Sequence, residues 1–196
     1  MRTRLVWLLG SLCGLSTLAA ALLPARPAHA SVSEALDLRQ LVHASHEIVV
    51  GVTRSAQARY DGARIVTDSV VEVEDRMRGG VAPTLRVTTL GGAVGDVGMR
   101  VEGSAHLDVG DRALLFLRRG HGAQVLTPVG MAQGVLPVNQ DQRGQDVVFP
   151  GARGLALMRR VGGGRLVPAP AALMEPRPLH ELCAEIEALV AVDEAP

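Results

Sequence analysis

Hydrophobic and polar residues alternate along the middle of the chain with the two-residue period of a β-strand. The clearest run, ARIVTDSVVEVED at 63–75, predicts a long strand whose second face is largely polar. Its first face carries Ile65, Thr67, Ser69, Val71 and Val73. An Asp61-Gly62 turn precedes this strand and Gly79-Gly80 ends it, so a hairpin is expected here.

Shorter apolar runs of the same kind recur at regular spacing on both sides of this strand. They predict strands at 48–52, 84–90, 113–117 and 125–129, and a hairpin of 134–138 with 147–149 around the loop NQDQRGQD. Many short strands punctuated by Gly, Asp and Asn are typical of closed or two-layered β folds. The predicted fold class is therefore mainly β, a small OB-like β-barrel or sandwich.

Two segments have helical periodicity and frame this barrel, which is assigned to residues 31–160. The first is a short N-terminal helix at 33–44, with Ser33 as its cap. The second is a C-terminal amphipathic helix at 178–192, packed on the barrel, with Pro178 in its first turn. Its apolar stripe consists of Leu179, Leu182, Cys183, Ile186, Leu189 and Val190. The Gly/Pro-rich stretch 161–177 is predicted to be a linker.

The first thirty residues have the composition of a secretory signal peptide. Arg2 and Arg4 form a positive start, 5–23 is apolar and uncharged, and Ala28-His29-Ala30 is a small-x-small cleavage site. The sequence therefore predicts export to the periplasm or the medium, a mature chain from Ser31, and no stable membrane anchor after cleavage. A retained membrane helix at 1–30 is the alternative.

Composition narrows the function of the exported part. All 20 basic residues are arginine and three of them lie in 1–30, so the remainder carries fewer bases than its 20 acids and is a poor nucleic-acid binder. Cys183 is the one cysteine left after 1–30, which excludes an internal disulfide. The few aromatic residues argue against sites that stack rings on sugars or bases.

The densest glycine segment, GGAVGDVGMRVEG at 91–103, superficially resembles a phosphate-binding loop. Such loops need a helix directly afterwards, and this one lacks a GK[ST] ending and continues with a strand-like alternation. A turn between strands is the favoured interpretation. Because binding residues often lie on loops held by a rigid scaffold, the candidate ligand contacts are Asp96, Met99 and Arg100.

His43 and His46 lie three residues apart at the end of the predicted N-terminal helix. A zinc-protease helix would need His-Glu-x-x-His, and position 50 is Val50. We interpret them as solvated histidines that interact favourably with the helix dipole, with a metal site as the alternative. The carboxylates of Asp68, Glu72 and Glu74 are likewise interpreted as solvated rather than as a calcium site. No cofactor is predicted.

A catalytic nucleophile is not visible in the sequence. There is no G-x-S-x-G elbow, and Cys183 lies in an acidic helix that would raise the pKa of its thiol. The chain is therefore predicted to be non-enzymatic.

The order of segments from His46 to Arg119 resembles a family of uncharacterised exported bacterial β-barrel domains. The resemblance rests on SHEIVVGVT, RIVTDSVVEVEDRMRGG, LRVTTLGG and DVGDRALLFLRR. More distantly, the segment is similar to the OB-type barrel of netrin/TIMP-like modules. Those inhibitors chelate metal through an N-terminal cysteine and carry a disulfide framework, which this chain lacks, so the resemblance implies a barrel and transfers no functional residue.

These observations favour an exported, non-enzymatic binding or interaction module of unknown ligand, with an envelope or secreted protein as partner and no nucleic acid. Two alternatives stay open. One is a metal-assisted hydrolase that uses His43, His46 and a distant carboxylate. The other is an accessory or inhibitor partner of a secreted protease.

Overall fold

A computed structural model describes residues 31–120, 125–152 and 155–195. The predicted signal peptide at 1–30 lies outside the described residues. The strands are β1 (Ser31–Glu34), β2 (Glu47–Asp61), β3 (Arg64–Arg78), β4 (Thr84–Leu90), β5 (Gly92–Val94), β6 (Val97–Met99), β7 (Arg112–Arg119), β8 (Leu126–Pro128), β9 (Val135–Gln140), β10 (Asp146–Val148), β11 (Leu155–Arg160), β12 (Leu166–Pro168) and β13 (Arg177–Pro178). The helices are α1 (Leu38–His43) and α2 (Leu179–Asp193). Within the described ranges, no helix has the length and hydrophobicity needed to span a membrane.

Five strands close into a barrel in the order β2, β3, β4, β8, β7 and back to β2. Closure depends on β8, which pairs parallel with β4 at Val87 and Leu126 and antiparallel with β7. Beyond the barrel, β7 also pairs with β9, which continues the sheet through β10 to β13. The predicted mainly β fold is confirmed: it is a small OB-like barrel with a short helix near the N-terminal region of the chain and a second helix in the C-terminal region.

The long β2–β3 hairpin supplies the curvature that the barrel needs. Its two-residue turn brings Asp61 opposite Arg64, with Gly62 at φ +61°. Register shifts interrupt the pairing at three places, one of them beside Gly51. A Cβ at Gly51 would lie 2.5 Å from the carbonyl oxygen of Glu72. These irregularities bend the strands, because an extra residue on one strand increases its local twist.

Strand β7 separates two hydrophobic cores, because its alternate side chains point to opposite faces. Leu115 and Leu117 point into the barrel, where they pack with residues such as Val71 and Val87. Leu114 and Phe116 point outward. Both helices pack over them and complete an outer core. This outer core is formed by Leu41, Val42, Ile48, Val50, Leu114, Phe116, Val129, Leu136, Val138, Val148, Leu173, Leu182, Cys183, Ile186 and Val190.

The N-terminal helix starts later than predicted. Ser33 is not its cap: it lies in β1, which pairs parallel with β11. The cap is Asp37, whose carboxylate accepts from the Gln40 amide while the Gln40 side chain accepts from the Asp37 amide. A reciprocal capping box of this kind outcompetes an isolated serine four residues upstream.

The C-terminal segments are more ordered than a tether would be. Strand β12 lies within the predicted linker 161–177 and pairs antiparallel with β11, and Leu173 from the same stretch is buried in the outer core. The following helix α2 buries Leu182, Cys183, Ile186 and Val190, so its predicted apolar stripe is confirmed.

Candidate functional site

A cavity of about 710 Å³ lies on the outer surface of the barrel. One side is formed by the Asp61–Arg64 turn and the start of β3, and the other by the end of β7 and by β8. The end of β4 lies between them, and β1 with the following residues closes a further wall. The volume falls within the range of small-molecule sites, which is about 300–1,000 Å³.

The floor of this cavity is aliphatic. Val66 is only 3% exposed, although strand alternation places it on the outer, largely polar face of β3. Leu90, Val129 and Met131 line the same space, and the part of the chain that the structure describes contributes no Phe, Tyr or Trp to the lining. The cavity thus offers apolar surface without an aromatic ring.

Several hydroxyl groups around the cavity already have partners. Thr88 Oγ1 donates to Asp68 Oδ1 at 2.6 Å, and Ser104 Oγ donates to the Leu90 carbonyl at 2.7 Å. Burial raises the pKa of the Asp68 carboxyl, but the hydrogen bonds from Arg59 and Thr88 outweigh it, so that pKa lies below its usual range. These hydroxyl groups hold the wall together rather than face a ligand.

Four charged side chains lie around the cavity. Asp61 lies 3.7 Å from Arg59, whose Nε also donates to Asp68 at 2.7 Å. Arg64, Arg118 and Glu34 form no ion pair with any of the described residues. Arg64 begins β3 and Arg118 lies near the end of β7, so β4 and β8 separate the two guanidinium groups.

Gln133 fixes the wall that β1 contributes. Its side chain is buried, and its Oε1 accepts from the Leu36 amide at 2.9 Å. Its Nε2 donates to the Glu34 carbonyl at 3.0 Å. The side-chain amide therefore replaces a strand partner for the backbone of 34–36 and positions Leu36 at the cavity.

The residues predicted from the glycine segment lie elsewhere. Asp96 is at the exposed tip of the β5–β6 hairpin, Met99 ends β6, and Arg100 Nε donates to Glu102 at 3.1 Å. All three residues lie in or directly after the β5–β6 hairpin, and none of them lines the cavity. Their role in ligand binding stays a prediction.

The two candidate metal-binding histidines, His43 and His46, differ in their contacts. Both side chains are exposed, but His43 Nδ1 lies 2.6 Å from Asp193 Oδ1 of helix α2, whereas His46 forms no ion pair with any of the described residues. No group of three or more His, Cys, Asp or Glu side chains that could hold a metal ion occurs among the described residues.

The three carboxylates on the outer face of β3 are not simply solvated. Each pairs with an arginine: Asp68 with Arg59 and Glu72 with Arg54, both on the adjacent strand β2, and Glu74 with Arg112 on β7, beyond β2. Cross-strand ion pairs of this kind stabilise the sheet.

Cys183 faces the outer core. Burial, followed by the nearby negative charges of Asp75 and Glu187, raises the pKa of its thiol to about 11. The predicted direction of this shift is confirmed, and a thiol with so high a pKa is a poor nucleophile at neutral pH.

Sequence reasoning missed the cavity because its walls come from segments far apart in the chain. Two signals were present in the sequence: the valine at position 66 on a largely polar face, and a strand that begins and a strand that ends with arginine. Neither signal indicates a cavity until the strand order is known. Comparison with protein-family models, with characterised proteins and with solved structures gives no match to this chain.

Proposed function

We propose that this chain is an exported, non-enzymatic binding module, and that it binds its ligand in the 710 Å³ cavity on the barrel surface. The observation that carries the proposal is the cavity itself, a concave space with an aliphatic floor and polar groups at its edge. Small-molecule sites generally have this composition.

The position of the cavity supports the same conclusion. OB barrels that bind oligonucleotides and oligosaccharides do so on the face of their second and third strands, with the loop that joins strands one and two and the loop that joins strands four and five. In this barrel those strands are β3 and β4, and the cavity lies between the Asp61–Arg64 turn and the end of β7. This analogy between folds concerns the position of the site and not the class of its ligand.

The proposal is tested by native mass spectrometry of the full chain recovered from a bacterial envelope fraction. We expect a non-covalently bound small molecule that is released on unfolding. Val66→Phe should fill the cavity and abolish this bound species, whereas Val81→Phe, at a fully exposed position, should retain it. Thr127→Trp obstructs the cavity from β8 and provides a second test if Val66→Phe does not fold.

The same sample tests export. Intact mass should show a chain that starts at Ser31, as cleavage after Ala30 predicts. A bound molecule that survives both cavity-filling variants would contradict the binding proposal. A chain that retains residues 1–30 in the purified protein would contradict cleavage and favour the retained anchor.

A further inference from the structure

We infer that the ligand of this cavity is a flexible aliphatic carboxylate, whose chain lies on the aliphatic floor and whose anionic group pairs with Arg64 or Arg118. This inference rests on the proposed function, since it names the ligand class of the same cavity.

The absence of rings from the lining narrows the ligand class. Sugars and nucleobases are bound largely by stacking on aromatic side chains, and none of the described residues that line this cavity is aromatic. Val66, Leu90 and Val129 instead present branched alkyl groups, which gain most from removing another alkyl group from water. A saturated chain matches this floor better than a flat ring.

The state of the hydroxyl groups argues against a ligand rich in hydrogen-bonding groups. Thr88 and Ser104 donate to protein oxygens, and Ser33 Oγ accepts from the Gln133 side chain at 3.3 Å. Thr89 and Thr127 are the other hydroxyl groups of the lining, so a ligand with more hydrogen-bonding groups than these two can serve, such as a peptide backbone, would incur a desolvation cost. An alkyl chain has no such groups.

The charged side chains around the cavity indicate that the ligand is anionic. Arg64 and Arg118 form no ion pair among the described residues, whereas Asp61 lies near Arg59. Glu34 is the remaining charge, so arginines outnumber free carboxylates around the cavity. A guanidinium group binds a carboxylate through two parallel hydrogen bonds, which selects an anionic head group over a cationic one.

The test is titration of the protein as recovered from the envelope fraction with decanoate, below its micelle concentration, by isothermal calorimetry. Decanol and decyltrimethylammonium serve as neutral and cationic ligands with the same chain. We expect decanoate to bind most tightly. At least one of Arg64→Gln and Arg118→Gln should weaken decanoate binding about three- to tenfold, since an exposed ion pair contributes modestly.

Three controls make the result specific. Arg143→Gln removes an arginine from an exposed turn outside the cavity and should leave decanoate affinity unchanged. Val66→Phe should abolish binding of decanoate, and decanol affinity should not change in either arginine variant. The inference would be overturned if decyltrimethylammonium bound as tightly as decanoate or more tightly. It would also be overturned if neither Arg64→Gln nor Arg118→Gln weakened decanoate binding.

Failure of the inference is distinguishable from failure of the proposed function. If decanoate does not bind but mass spectrometry finds another molecule that Val66→Phe removes, the ligand class is wrong and the cavity is still the binding site. If decanoate binds Val66→Phe as well as the unaltered chain, the aliphatic carboxylate does not occupy this cavity and the inference is wrong.

Discussion

Ser69 and Ser45 are both buried serines, but they differ in hydrogen bonding. Ser45 Oγ donates to the Leu41 carbonyl at 2.6 Å, while Ser69 Oγ has no partner among the described residues. Ser69 lies on the inner face of β3, opposite Ala56 on β2 and Val87 on β4. A buried hydroxyl group without a partner loses its hydration and gains nothing in exchange.

We therefore expect Ser69→Ala to raise the free energy of unfolding by about 1 kcal/mol, because it removes an unsatisfied polar atom. The matched change Ser45→Ala should lower it by about 1 kcal/mol, because it removes a hydrogen bond that is made. Urea denaturation followed by circular dichroism measures both. A loss of stability in Ser69→Ala as large as that in Ser45→Ala would show that the Ser69 hydroxyl is satisfied.

At the scale of elements, one carboxylate joins both helices to the barrel. Asp193 ends α2, where the helix dipole disfavours negative charge. His43 of α1 and Arg78 of β3 offset this, with Arg78 Nη2 2.7 Å from Asp193 Oδ2. Arg78 also donates to the Val42 carbonyl and lies 3.2 Å from Glu194. The hydrogen bond from His43 and then that from Arg78 hold the pKa of Asp193 below its ordinary value.

This lowered pKa makes the stability contribution of Asp193 depend on pH. Because folding favours the ionised carboxylate, the contribution is complete above the unfolded pKa of about 3.9 and is lost as pH falls through the folded value. We expect Asp193→Asn to be less stable than the unaltered chain at pH 7, and this difference to shrink below about pH 4.

Urea midpoints measured at pH 7 and pH 3 check this expectation. The control is Asp96→Asn, since Asp96 lies at an exposed turn, and its effect should be small and equal at both pH values. A stability difference for Asp193→Asn that persists unchanged at pH 3 would show that its carboxylate does not stabilise the fold through its charge.

Local patterns predicted the elements that depend on nearby residues. Strand β4 has the bounds 84–90 that its apolar alternation indicates, and the Asp61-Gly62 turn closes the β2–β3 hairpin as expected. The helix stripe of α2 is also correct, because helical periodicity is decided within a few turns.

The elements that sequence reasoning missed depend on distant partners. Strand β1 lies next to β11, more than a hundred residues later, so Ser33 has no local signal that it belongs to a strand. The start of α1 differs from the prediction for a local reason, since the capping box of Asp37 and Gln40 begins the helix. The cavity walls assemble only through the parallel pairing of β4 with β8, and nothing near Val87 or Leu126 in sequence indicates that pairing.

At the scale of the whole molecule, the described residues form two hydrophobic cores, which lie on the two faces of one sheet region. Leu115 fills the barrel core and its neighbour Phe116 fills the outer core beneath the helices. Strand β2 shows the same division at Val49 and Val50. Because the two cores share these backbones, loosening one core should loosen the strands that form the other.

We therefore expect the barrel and the helical layer to unfold as one cooperative unit. Leu182 in α2 is 1% exposed and lies only in the outer core. Leu182→Ala should lower the free energy of unfolding by about 2–5 kcal/mol, as for other buried leucines. Hydrogen exchange should then show reduced amide protection in β3 and β4 as well as in the helices.

The matched control lies on the same helix. Val192 is 64% exposed, so Val192→Ala should leave protection in both layers within experimental error of the unaltered chain. Cooperative unfolding predicts that Leu182→Ala reduces protection of the slowest β3 and β4 amides by the same free energy as it reduces global stability. If those amides kept their protection while α1 and α2 lost theirs, the helical layer would be a separate unit, because the shared strands β2 and β7 would not transmit the loss between the cores.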